Sequence, residues 1–326
     1  MEYKKLGNSE LVVSSLCLGT MTFGDGADEA MCKELYKLSR DKGINFFDCA
    51  NVYADGESEK ILGALIHGHR DEVVITTKAY YPTGNGMDDR GLSKKHLTRE
   101  LEKSLKRLNT DYIDIYYMHS FDKDTPLEES LSTLNDFVNQ GKIRCIGVSN
   151  FAAWQIMKAV AITERYNYNS ITCIQPMYNL LKRQCESEIL PMAKSENMGI
   201  VPYSPLAGGM LTGKYLTKTD DKSRFYSSEM YQKRYEDKIN DEATKRFVDY
   251  SKANNYNPVS LAIAWVSSHS SVTSPIVGAR NVAQLKPAIA SMDIKMTDEL
   301  KKLISGFTPA PALATDRQEE QLLINN

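Results

Sequence analysis

Four polar residues of this 326-residue chain stand where apolar runs give out. Asp48 closes Ile44-Asn45-Phe46-Phe47, Tyr53 follows it by one short turn, Lys78 closes Val73-Val74-Ile75-Thr76-Thr77, and His119 closes Ile113 to Met118. As a set they could deliver a proton. A phenol with an ordinary pKa near ~10 gives up its proton reluctantly at neutral pH, and an adjacent ammonium is a direct way to lower that value. Lys78 is the candidate ammonium. Asp48 would hold it charged and in place, and a neutral His119 would orient a carbonyl oxygen beside the Tyr53 hydroxyl. Taken alone, an Asp and a Lys are more often a structural ion pair, and a lone histidine at a strand end is more often a hydrogen-bonded core residue. Four such groups at strand ends shift the weight to chemistry.

The elements that must position them alternate in type. Strand signals at 44–48, 73–78, 113–118, 143–148, 171–175 and 199–204 alternate with helical patterns at 28–42, 57–67, 94–108, 126–140, 152–166 and 184–197. Tyr3 to Gly19 reads as a hairpin feeding a first barrel strand at Leu16-Cys17-Leu18, and a helix near 258–268 and a strand at 272–277 close the series. Such alternation predicts a parallel sheet with crossover helices, and parallel strands share their carboxyl end, so the four residues can meet on one face. Eight strands after the hairpin predict an α/β (β/α)8 TIM barrel, one domain over 1–326, with an N-terminal β-hairpin and a long insertion after strand 7. That insertion, Leu206 to Asn240, is polar and rich in tyrosine, and a long segment at this face of a barrel is usually functional. The tail from Thr308 to Asn326 is expected to extend, partly ordered, over the barrel mouth.

Composition excludes several classes. A hydrophobic fraction of 42% with 25% charged residues is that of an ordinary globular chain. A net charge of −2 without long basic runs gives no footprint for nucleic acid. Cys17, Cys32, Cys49, Cys145, Cys173 and Cys185 show no paired spacing and read as buried reduced thiols. No apolar stretch approaches the ~20 residues of a membrane span, so a cytoplasmic protein is expected. His67-Gly68-His69 reads as a solvated helix end, and no metal is expected. The stretch Gly208 to Lys214 imitates a phosphate-binding loop, but Tyr215 stands where a magnesium-ligating Ser or Thr belongs, and no dinucleotide fingerprint of the G-x-G-x-x-G type is present.

Read in order, Leu6-Gly7, Leu18-Gly19-Thr20-Met21, Phe47-Asp48 through Tyr53, Thr77-Lys78, Tyr117-Met118-His119, Gly147-Val148-Ser149-Asn150-Phe151, Gln175, Tyr203-Ser204-Pro205-Leu206 and Val277-Gly278-Ala279-Arg280 resemble the aldo-keto reductase family. The similarity runs to about Ala290 and extends to bacterial members and potassium-channel beta-subunit-like members. It implies a TIM-barrel oxidoreductase that reduces an aldehyde or ketone with NADPH, Asp48, Tyr53, Lys78 and His119 being its catalytic tetrad. It assigns cofactor contacts to Gly19, Thr20, Met21 and Asp48, and gives the nicotinamide carboxamide to Ser149, Asn150 and Gln175, the last two of which have side-chain amides offering the needed donors and acceptors. Tyr203 would stack on the nicotinamide ring. Ser204, Pro205, Leu206, Gly208 and Lys214 would fold over the pyrophosphate, with Arg224 reaching the same phosphates. Gly278, Arg280 and Gln284 would lie on the adenosine side, where Arg280 at a helix start suits a 2′-phosphate. Ala288 stands where the family usually has asparagine.

The mouth wall is expected to include Met21, Phe23, Tyr53, Tyr81, His119 and Phe121, which favours a hydrophobic or aromatic carbonyl compound as the small-molecule partner. Two other readings differ in class. One is a regulatory subunit that senses redox state through bound NADPH with little turnover. The other is a barrel lyase or isomerase with Lys78 as a Schiff-base nucleophile.

Overall fold

The computed structural model describes residues 1–216 and 224–315, apart from the side chains of Arg224 and Ser227. Side chains alternate between the two faces of a strand, so a sheet covered on both faces needs apolar residues in both registers. Eight runs meet that requirement and pair in parallel: β3 (Cys17–Gly19), β4 (Phe46–Asp48), β5 (Val74–Ala79), β6 (Ile113–Met118), β7 (Ile143–Ser149), β8 (Ile171–Gln175), β9 (Gly199–Ile200) and β10 (Ile276–Val277). The order is β10-β3-β4-β5-β6-β7-β8-β9. Across the seam, Thr273 N–H donates to Ile200 O and Ile276 N–H to Pro202 O, each at 2.8 Å. The result is the (β/α)8 barrel that the alternation predicts. The antiparallel hairpin β1 (Tyr3–Lys5) and β2 (Val12–Ser14) lies at the amino end of the strands, where Ser14 N–H donates to Asn45 Oδ1 at 2.7 Å.

Inside the barrel, Cys17, Phe46, Val74, Ile115, Tyr117, Cys145, Cys173, Val201 and Ile276 pack with Leu6 and Val13 of the hairpin. Further along the same register, toward the carboxyl end, come Gly19, Asp48, Lys78, His119, Ser149, Gln175, Tyr203 and Gly278. One periodicity therefore fills the bottom of the barrel with apolar side chains and its mouth with polar ones. Gly147 is part of that packing, because a Cβ there would collide with the Tyr117 ring.

The outward residues Leu18, Phe47, Ile75, Tyr116, Met118, Ile146, Val148, Ile174 and Ile200 join the second cluster, under the helices. Each such side chain taken fully from water contributes roughly 1.5–3 kcal/mol. The helices are α1 (Glu29–Asp41), α2 (Glu57–Ile66), α3 (Lys94–Leu108), α4 (Leu127–Asn139), α5 (Ala153–Tyr166), α6 (Ile189–Ser195), α7 (Arg224–Ser227), α8 (Glu229–Tyr235), α9 (Lys238–Ala253), α10 (Pro258–Ser267), α11 (Val282–Ile289) and α12 (Asp298–Ser305). Side-chain caps start several of them: Asp28, Ser93, Asp237, Asn257, Asn281 and Thr297 each accept a backbone N–H of the first turn.

Some elements differ from expectation. The helix expected over 184–197 is a 3-10 turn, Gln184–Glu186, followed by α6, because Pro191 has no N–H and fits only the first turn of a helix. The strands expected over 199–204 and 272–277 shorten to two residues each, next to Pro202 and Pro275, and a bridge between Met177 and Tyr203 continues the β8–β9 pairing. The insertion was expected to end near 240, but after α7 and α8 the chain enters α9, which buries Ala243, Thr244, Phe247, Val248 and Ser251. The described part of the tail lies along the turn after β8, with Arg183 Nη1 donating to Thr308 Oγ1 at 3.3 Å and Ser187 Oγ to Ala312 O at 2.7 Å. Residues 316–326, the remainder expected over the mouth, lie outside the described residues.

All six cysteines are buried and free. His67 is exposed as expected, but His69 is held, its Nε2 lying 2.7 Å from the Tyr36 hydroxyl. Among the described residues no helix is long and apolar enough to cross a membrane, and no group of three His, Cys, Asp or Glu could hold a metal ion.

Candidate active site

The four candidate residues meet at the carboxyl end of β4, β5 and β6. Lys78 is fully buried, and its ammonium donates to Asp48 Oδ2 at 2.7 Å, Cys49 O at 2.6 Å and the Tyr53 hydroxyl at 3.4 Å. An ammonium has three N–H groups and no acceptor, so all three are used, and the Tyr53 oxygen is the one that accepts. The phenol's own proton is then free to point elsewhere. Asp48 is fixed by two further donors on Oδ1, Thr76 Oγ1 at 2.7 Å and Gln175 Nε2 at 2.8 Å. Tyr53 stands on a strained turn, in which Ala54 and Asp55 have φ of 48° and 53°. Left-handed non-glycine residues cost free energy that the surrounding structure must offset. The ring of His119 meets the rings of Tyr53 and Tyr81 edge to face, with centroids 6.2 and 4.8 Å apart.

Burial alone would discharge Lys78, but the Asp48 carboxylate outweighs it and holds the amine charged, above the ordinary lysine range. An ammonium has no lone pair, so the Schiff-base reading loses its nucleophile. Lys78 acts on the Tyr53 pKa in the expected direction, but it does not bring the phenol below its ordinary value. Burial pushes the phenol up to about 12, and Lys78 opposes that rise without reversing it. In His119, burial and then the Lys78 charge hold the imidazole neutral, well below its ordinary range. Its Nδ1 is buried without a hydrogen-bond partner.

Beside the four lie the residues expected at a nicotinamide. Asn150, in a left-handed conformation (φ 56°) just after β7, donates Nδ2 to His119 O at 2.9 Å and accepts the Tyr203 hydroxyl on Oδ1 at 2.7 Å. Ser149 Oγ donates to Gln175 O at 2.9 Å. Gln175 thus belongs to two groups at once, its amide nitrogen on Asp48 and its backbone beside Ser149. Gly19 packs against Ile276, and the hydroxyl of buried Thr20 is spent on Asp48 O at 3.1 Å, while Met21 is exposed.

The expected phosphate and adenosine residues lie around the same mouth. Ser204 (φ 61°) and the left-handed pair Gly208 and Gly209 carry the chain out of the barrel past Pro205 and Leu206, with Lys214 folded back over Gly209. The Arg224 side chain lies outside the described residues. Across the mouth, the Arg280 stem runs over Gly26, and a Cβ added at Gly278 would meet nothing nearer than 3.8 Å. Gln284 accepts the Arg280 backbone N–H on its side-chain oxygen at 3.0 Å, so that oxygen is already engaged. Ala288 is on the buried face of α11, near its end.

One expected wall residue is misplaced. Phe23 is wholly buried, because the turn closed by Phe23 N–H to Thr20 O at 2.9 Å folds its ring into the core. Tyr81 is exposed, with its ring against His119. Phe121 stacks edge to face on Phe151 with centroids 5.2 Å apart, and Trp154, in the first turn of α5, lies 6.0 Å from Phe121 and is 64% exposed. Phe151 and Trp154 are missing from the sequence-derived wall, although their position just after Asn150 at a strand end was a usable signal. A cavity of about 240 Å3 opens here, lined in part by Asn150, Phe151, Gln175, Met177 and Tyr203. A larger hollow of about 510 Å3 lies at the opposite end of the barrel, between the hairpin and the start of β7 and β8, and touches none of these residues. The smaller one borders Asn150, Gln175 and Tyr203 but none of Asp48, Tyr53, Lys78 and His119, so the candidate site is defined by the convergence of those four at the strand ends and not by a cavity.

An eight-stranded barrel with a buried Asp–Lys–Tyr chain and a neutral histidine at its mouth defines a class, and residues 15–307 match the aldo/keto reductase family. The chain belongs to that family and is an oxidoreductase. It is 37% identical over 327 residues, 95% of this chain and 97% of the other, to an oxidoreductase of Bacillus subtilis described as uncharacterized. It is 36% identical over 308 residues, 90% and 92% of the two chains, to a probable voltage-gated potassium channel subunit beta of Oryza sativa subsp. japonica. A Saccharomyces cerevisiae protein whose name assigns it provisionally as an aryl-alcohol dehydrogenase is 33% identical over 336 residues, 94% and 96% of the two.

Proposed function

We propose that this protein reduces an aldehyde or ketone, aromatic or otherwise hydrophobic, to the alcohol with NADPH. The observation that carries the reading is the direction of the Lys78 hydrogen bond: the lysine donates to Tyr53, so the phenol keeps a proton to give. The residues present fit a nicotinamide dinucleotide. The amides of Asn150 and Gln175 match a carboxamide, the backbone at Gly278 is open to close approach, and Lys214 and Arg280 supply cations for phosphates. When bound, the dinucleotide supplies the hydride.

The chain's own residues do the rest. His119, neutral and with Nδ1 unpartnered, keeps its N–H on Nε2 and directs the carbonyl oxygen toward the Tyr53 hydroxyl. As negative charge grows on that oxygen, Tyr53 hands over its proton. The phenolate left behind is stabilised by the Lys78 ammonium, and Asp48 keeps the ammonium charged throughout. A phenol held at about 12 in the resting site is therefore a stored proton, released when the oxygen beside it becomes basic. Tyr81, Phe121 and Trp154 give an aromatic substrate its wall, a view that the name of the yeast relative also supports.

The plant relative favours a second reading, a regulatory subunit in which NADPH occupancy matters more than turnover. A panel of aldehydes and ketones followed by loss of NADPH absorbance separates the two. Turnover of aryl aldehydes with one NADPH consumed per alcohol is expected. Negligible turnover across the panel, together with a stoichiometric membrane partner in a pull-down, would favour the regulatory subunit.

A further inference from the structure

Glu100, in the middle of α3, is wholly buried. Burial works to neutralise its carboxyl, but hydrogen bonds from Lys103 and Asn51 outweigh that and hold it ionised, below the ordinary carboxylate range. Lys103 Nζ and Arg99 Nε donate to Oε1 at 3.0 and 3.3 Å, and both cations lie on the same helix. Pairing within one helix needs no burial, and burying a charge costs free energy. What the buried position adds is two bonds to the barrel mouth: Asn51 Nδ2 donates to Oε2 at 2.9 Å and Thr83 Oγ1 to Oε1 at 3.1 Å.

Each of these bonds ends beside a residue of the site. Asn51 stands two residues before Tyr53 on the turn that leaves β4, and its backbone N–H donates to Lys78 O at 3.2 Å. Among the described residues its side chain has Glu100 as its one partner, the buried Oδ1 having none. That turn needs holding. Lys78 reaches the Tyr53 oxygen at 3.4 Å, the longest of its three bonds, and Ala54 and Asp55 just beyond are left-handed. A backbone so strained persists only where its surroundings fix it. Thr83 stands on the loop after β5, which Gly91 N–H closes on Tyr80 O at 2.7 Å. Only Pro82, its φ fixed by the ring, separates Thr83 from Tyr81, and Tyr81 packs on His119 with centroids 4.8 Å apart. One carboxylate therefore ties the turn of the proton donor to the loop of the substrate wall.

We propose that Glu100 is a positioning residue for both halves of the site, acting on Tyr53 through Asn51 and on Tyr81 through Thr83. This role presupposes the carbonyl reduction proposed above. Its two arms should separate in kinetics. A displaced proton donor slows the chemical step, whereas a displaced wall weakens substrate binding.

The test is steady-state reduction of an aryl aldehyde at saturating NADPH by wild type, Asn51→Ala, Thr83→Val, Glu100→Ala and Glu100→Gln, with rates taken per folded molecule. Asn51→Ala should lower kcat by on the order of tenfold to a hundredfold and leave KM within about twofold. Thr83→Val should raise KM by about threefold to tenfold, the worth of one aromatic contact, and leave kcat within about twofold. Glu100→Ala should do both, and Glu100→Gln, which keeps an oxygen for Asn51 to donate to, should recover most of the lost kcat. NADPH affinity, read by fluorescence titration, should be the same in all of them. Asn51→Ala with unchanged kcat, or Thr83→Val with unchanged KM, would overturn the proposal. So would a Glu100→Ala protein that loses stability in urea while keeping kcat and KM, which is how a purely structural carboxylate would behave. If Glu100→Ala does not fold, the Asn51 and Thr83 variants decide, since both leave the Glu100 ion pairs in place. A wild-type protein that turns over no aldehyde would instead refute the proposed function itself.

Discussion

Adjacent residues of β5 serve two buried ion pairs on opposite faces of the strand. Inward, Lys78 pairs with Asp48 at 2.7 Å; outward, Thr77 Oγ1 donates to Glu59 of α2 at 2.5 Å, and Glu59 pairs with Arg107 of α3 at 2.6 Å. Both acids are nearly or wholly buried, and in both every carboxylate oxygen has a donor. The outer pair is closed on itself and ties β5 to two helices. The inner pair has one N–H left over, aimed at a phenol in the mouth. Burial and charge pairing are therefore shared by the structural and the catalytic group, and the open end is what separates them.

Breaking each pair in turn sharpens the contrast. Lys78→Met and Arg107→Met should each lower the unfolding free energy by about 3–5 kcal/mol, because each strands a buried carboxylate, and urea titration reads this directly. Only Lys78→Met should remove turnover as well, by on the order of 10²-fold or more in kcat. Arg107→Met should keep kcat per folded molecule within about twofold, since it contacts no reacting group. Abolished turnover in folded Arg107→Met would break the comparison and make the outer pair part of the chemistry.

The smallest expected effect concerns pH. His119 is buried neutral, so its folded pKa lies below its unfolded value and the unfolded chain takes up that proton first as pH falls. Its contribution to stability is complete above about 6.5 and is lost below it. His119→Gln should therefore lose less stability than wild type between about pH 7 and 5, the difference in slope approaching about 1.4 kcal/mol per unit. Parallel curves for the two proteins would mean that His119 is not held neutral by its site.

Much of the site was legible because it obeys the rule that builds the core. Asp48 lies two residues beyond Phe46, His119 two beyond Tyr117, Gln175 two beyond Cys173 and Tyr203 two beyond Val201, all in the inward register. What escaped depends on contacts between distant segments. The net shift of the Tyr53 phenol depends on how deeply the mouth buries it, and Phe23 turns inward through a backbone bond to Thr20 that leaves no periodicity. The break before α6, by contrast, was written locally in Pro191.

The open end of the inner pair is tested most directly by Tyr53→Phe, which removes one oxygen and leaves the ring, Lys78 and Asp48 in place. With an aryl aldehyde and saturating NADPH, kcat should fall by on the order of 10²–10⁴ while the NADPH dissociation constant, read by fluorescence titration, stays unchanged. A variant that keeps more than about a tenth of the wild-type kcat would contradict the account, since positioned proton donation is worth at least an order of magnitude more than that.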